Sequence, residues 1–111
     1  MCIAMKTINR TLLILIPKKP FFDWVMNFNI EIDAGEYSAY LIPENYDEYN
    51  YKDYLKEHCK EIFESELYGI LKDPDFYPEK RDCKTFKKWF ETHVCDTVFD
   101  LANDPIEIEE F

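Results

Sequence analysis

Thr11-Leu12-Leu13-Ile14-Leu15-Ile16 is apolar without alternation and ends at Pro17. Such a run reads as a strand buried on both faces. Tyr37–Ile42 repeats the pattern and ends at Pro43, so Leu-Ile-Pro occurs twice, 26 residues apart. Proline has no N–H to continue a ladder and so ends each strand. In the second run neither alternate set, Tyr37/Ala39/Leu41 or Ser38/Tyr40/Ile42, is strongly polar, which predicts cover on both faces. Between the runs, Phe21, Trp24, Val25 and Phe28 recur at helical steps behind Pro20, and proline is tolerated in a first helical turn. Strand, helix and strand in that order predict a βαβ unit with parallel strands and a right-handed crossover.

Ile30–Asp33 alternates and suggests a short edge strand. Residues 52–72 carry the strongest helical period: Tyr54, Leu55, Cys59, Ile62, Phe63, Leu67 and Ile70 share one face, and charged residues fill most of the other. Asp73-Pro74-Asp75 ends it. A short helix over Cys83–Phe90 and a strand over Thr92–Leu101, rich in β-branched residues, complete the order β-α-β-α-α-β. The expected fold is therefore α+β, an α/β-like two-layer arrangement of a small mixed sheet under about three helices. The 111 residues suit one domain, 1–111.

Charge changes the picture of the surface. The net charge is −10, and it is segregated. Residues 21–51 carry seven acids and no base, as do residues 91–111, whereas residues 1–20 carry four bases and no acid. An acidic surface repels nucleic acid and anionic lipid and attracts basic partners. No apolar run approaches the length of a membrane span. The Leu12–Ile16 run behind Lys6 and Arg10 is too short for a secretory signal. The four cysteines, Cys2, Cys59, Cys83 and Cys95, contain no CxxC. These features predict a cytoplasmic protein with free thiols. With only Gly35 and Gly69, no glycine-rich phosphate loop can be written.

Certain strings have a wider echo. Pro17-Lys18-Lys19-Pro20-Phe21-Phe22-Asp23-Trp24, Tyr40-Leu41-Ile42-Pro43-Glu44, Ile62-Phe63-Glu64-Ser65-Glu66-Leu67, Trp89-Phe90, and Asp100-Leu101 with Pro105-Ile106-Glu107 together resemble a family of small acidic bacterial proteins of uncharacterised function. The resemblance spans about Arg10 to Glu107 and implies a bacterial cytosolic origin. It supplies no functional residue.

Candidate chemistry is sparse. Glu91, His93 and Cys95 alternate, so on a strand they share one face and offer three metal-ligand types; no metal site is assigned to them. His58 and Cys59 lie on the broad apolar helix face, where core packing explains them better than catalysis. No catalytic residue and no cofactor are assigned. Parallel strands would bring Lys18 and Glu44 to a common sheet edge, with Trp24 lining a crevice there. Tyr46, Asp47, Glu48 and Tyr49 follow a strand end and precede a helix. Tyrosines among acids suit a protein-binding loop. The leading expectation is a non-enzymatic interaction protein that binds a basic protein surface, in the manner of an immunity protein or antitoxin. The alternative is a small enzyme, or a small-molecule or metal-binding protein, with its site at Lys18/Glu44 or on the Glu91/His93/Cys95 face. Neither nucleic acid nor membrane is an expected partner, and oligomeric state is not legible in the sequence.

Overall fold

A computed structural model describes residues 5–32 and 37–110. The elements are β1 (Lys6–Thr7), β2 (Arg10–Pro17), α1 (Lys19–Met26), β3 (Ser38–Pro43), α2 (Tyr51–Ile70), α3 (Cys83–Trp89), β4 (Phe90–Cys95) and β5 (Phe99–Asp100), with a 3-10 turn at Pro74–Phe76. This is an α+β fold with three helices, as the apolar pattern predicts. Pro17 and Pro43 each close their strand. Of the suggested edge strand at Ile30–Asp33, Ile30–Ile32 is unpaired and Asp33 lies outside the described residues.

The sheet corrects the expected topology. Its order is β3-β2-β4, and both pairings of β2 are antiparallel. Among the described residues there is no parallel βαβ unit and no mixed sheet. The order of elements and the apolar pattern carry no strand direction. Phe21 of α1 packs against Trp89 and Phe90, and Phe90 lies opposite Pro17 at the end of β2. The helix docks at that end of the sheet, and β3 starts where β2 ends, with Ser38 opposite Leu15.

β2 is buried on one face only. Thr11, Leu13 and Leu15 are almost wholly enclosed, while Leu12, Ile14 and Ile16 are part-exposed. α2 crosses the covered face obliquely. Its first turn lies over β4, where the Tyr51 hydroxyl is 3.1 Å from that of Thr92. Its last third lies over β3, where Ser38 Oγ donates to Glu66 at 3.0 Å. Phe63 sits at the centre of the core with its ring against Phe86, Trp89 and Phe90. Asp82 caps α3 by accepting the Thr85 N–H at 2.8 Å, which satisfies a donor that the helix leaves free. The hydrogen bonds from Thr85 hold the Asp82 carboxyl below its ordinary range.

Cys59 and Cys83 form a disulfide between α2 and the first residue of α3, with Cα atoms 5.4 Å apart. The expectation of four free thiols fails at this pair. Cys59 is buried on α2 because of its helical phase. That phase says nothing of which helix packs opposite it.

Beyond the sheet, β1 and β5 pair antiparallel as a short ribbon. The register shifts by one residue: Leu12 faces Cys95, but Thr7 faces Phe99, five steps on one strand against four on the other. Asp96, Thr97 and Val98 between these pairs lie outside both ladders, so the ribbon is a separate two-stranded sheet.

Candidate functional site

The residues expected at a common sheet edge do not meet. In the antiparallel pair, Arg10 faces Pro43, so Glu44 leaves the sheet at the Arg10 end and Lys18 leaves it at the other. Trp24 is buried and donates its indole N–H to the Phe76 carbonyl at 3.0 Å. It is a core residue and lines no crevice between Lys18 and Glu44.

The tyrosine loop is partly consumed by its own structure. The Asp47 carboxylate accepts the backbone N–H groups of Tyr49 and Asn50 at 2.8 and 3.0 Å. Asn50 returns the bond by accepting the Asp47 N–H at 2.7 Å. The Tyr46 ring packs edge-on against Tyr54 at 5.1 Å, and Tyr54 stacks on His58 at 4.2 Å. Thr11 anchors the turn by donating its hydroxyl to the Tyr46 carbonyl. What remains for a partner is Glu48, which is exposed, and Tyr49, which is 88% exposed.

The uncovered face of the sheet is the larger feature. Residues directly opposite in an antiparallel pair share a face. The register therefore sets Leu12 between Leu41 and Cys95, Ile14 between Ala39 and His93, and Ile16 beside Glu91. Leu12, Ile14 and Ile16 lie outside the core cluster, and Leu41 is 50% exposed. The expectation that both faces of Tyr37–Ile42 are covered fails here. The reason is that the core cluster joins the buried residues of α1, α2 and α3 to Leu13, Leu15, Ile42 and Phe90, all on the opposite face.

Glu91, His93 and Cys95 do share this face, as their alternation predicts. Alternate strand positions are about 7 Å apart, so the three side chains are strung along the edge. Among the described residues no three His, Cys, Asp or Glu side chains form a group fit for a metal. His93 Nε2 instead lies 3.5 Å from the Glu91 carboxylate, an exposed pair of small energetic consequence.

Two further sites were not signalled by any motif. Glu66 lines a cavity of about 510 Å³ together with Ser38 and Phe90. Burial raises its carboxyl above the ordinary 4.5, against the lowering effect of the Ser38 and Tyr40 hydrogen bonds. The neighbouring Tyr40 hydroxyl, 3.4 Å from Ser65 Oγ, is pushed up to about 12, chiefly by burial. A second cleft of about 890 Å³ opens between α2, α3 and the start of β4, with Lys18 on its rim. Nothing in the sequence announces either, because each is made by residues from separate elements.

No helix among the described residues is long and apolar enough to cross a membrane. Comparison of the chain with known protein families, with curated proteins and with solved structures finds no match.

Proposed function

We propose that this protein is an interaction module that binds a basic protein surface, with the uncovered sheet face as its apolar centre. The observation that carries the reading is the row Leu12, Ile14, Ile16 and Leu41, left part-exposed although the opposite face closes a complete core. Contiguous apolar surface of this kind marks contact sites. Charge supports the partner's sign: residues 91–111 hold seven acids and no base, and Glu44 directly follows β3, the strand on the edge opposite β4. A partner with an apolar ridge flanked by lysine or arginine complements both. A cytoplasmic setting in a bacterium, and an inhibitor-like role, belong to the same proposal. The role is non-enzymatic: it asks for a shaped surface and no reacting group.

The test begins with capture from a bacterial lysate and identification of the bound protein. The captured partner is then titrated against wild type, Leu41→Asp and Tyr49→Ala at low and high salt. Leu41→Asp should weaken binding by about 2 kcal/mol or more if Leu41 lies in the contact centre. Salt should slow association. Loss only on Tyr49→Ala would move the contact to the loop. Equal affinity for all three proteins would refute both surfaces.

A further inference from the structure

The cleft between α2 and α3 gathers cations in a protein whose net charge is −10. Lys52 and Lys56 stand one turn apart on α2, Lys87 comes from α3, and Lys18 precedes α1. All four are exposed, and among the described residues none has an ion-pair partner. Lys18 Nζ is 3.4 Å from the Lys87 carbonyl, which draws two of the rims together. Two carboxylates, Asp53 and Glu91, also line the cleft, so the local balance stays positive. The floor is apolar: Phe86 and Phe90 lie there with centroids 5.2 Å apart, almost fully buried under the lysine stems. The Cys59–Cys83 disulfide forms part of the wall.

Lysines drawn together repel one another unless an anion joins them. A purely inorganic anion would need only the rim. The aromatic floor and the volume of about 890 Å³ fall within the range of pockets that hold small organic ligands. We infer that this cleft binds an amphipathic organic anion, its acidic head among the ammonium groups of Lys18, Lys52, Lys56 and Lys87 and its apolar body along their stems above Phe86 and Phe90. The site shares only Glu91 with the uncovered sheet face, and its four lysines lie outside that face, so it stands or falls independently of it.

The probe is 8-anilinonaphthalene-1-sulfonate, an aromatic sulfonate whose fluorescence rises in apolar surroundings. It is titrated into the oxidised protein, with decanoate and inorganic phosphate as competitors. Lys52→Gln/Lys87→Gln should weaken probe binding about tenfold or more, the loss of one charge-assisted contact. The control Lys6→Gln/Lys72→Gln removes the same charge elsewhere and should leave binding within about twofold. Leu41→Asp should also leave it unchanged, and decanoate should displace the probe where equal phosphate does not. Four results would overturn the inference: no binding, equal weakening in the control pair, abolition by Leu41→Asp, or displacement by phosphate as effective as by decanoate. Far-ultraviolet circular dichroism of each variant separates lost binding from lost fold.

Discussion

At the scale of single residues, Glu66 and Phe63 mark the two extremes of the core. Glu66 is held above its ordinary 4.5 by burial, so the fold favours its protonated form. A raised carboxyl adds stability below the unfolded value and loses it as pH rises through the folded value. At neutral pH the charged form is therefore a burden. Glu66→Gln keeps an acceptor for the Ser38 hydroxyl and removes the charge, so the variant should melt higher than wild type at pH 7. The gap should close as pH falls below about 4.5, the unfolded reference. Melting curves across that range check the sign. Phe63 is fully buried among three aromatic rings. Phe63→Ala should cost about 3–5 kcal/mol in chemical denaturation, the usual loss for a large core aromatic.

At the scale of elements, the disulfide holds together what packing holds more weakly. α3 has only seven residues, too few to be stable as an isolated helix. Its docking rests on Phe86, on the Asp82 cap and on the bridge to α2. With a sequence separation of 24, the chain-entropy argument assigns the cross-link about 3–4 kcal/mol. Titration of the denatured, non-reduced protein should therefore leave Cys59 and Cys83 unreactive, so that at most two of the four cysteines react. Reduction should lower the denaturation midpoint. Four thiols after anaerobic purification would place the bridge outside the native state.

At the scale of the whole molecule, the described residues form an elongated body. The described chain measures 54 × 29 × 24 Å, and its sheet and helices are continued by the β1/β5 ribbon and an exposed acidic tail. Ile106 and Ile108 of that tail are 61% and 85% exposed, so it adds little to the core. Truncation after Leu101 should shift stability by less than about 0.5 kcal/mol. It also removes four acids, Asp104, Glu107, Glu109 and Glu110. Association with a basic partner should then slow and lose part of its salt dependence, which stopped-flow binding at two ionic strengths would measure.

The sequence by itself determined the main elements. The steps of Phe21, Trp24 and Val25 and the long period from Tyr51 to Leu67 specify helices through side-chain phase, and Pro17 and Pro43 mark strand ends where they occur. The strand expected over Thr92–Leu101 instead runs Phe90–Cys95 and breaks at Asp96–Val98, and the β1/β5 ribbon carries no apolar signal of its own. The α+β class follows from those elements alone. Only the tertiary structure decided how they meet. The direction of β3 goes with where α1 docks, Phe21 against Trp89 and Phe90 at the end of β2, a contact between distant segments that apolar pattern does not contain. Leu12 and Leu13 are equally apolar on paper, yet the helices cover only the face of Leu13. Lys18, expected beside Glu44, instead lines a cleft with Lys52, Lys56 and Lys87. Contacts between distant segments depend on the relative placement of whole helices, and a periodicity fixes only which side of each helix faces inward.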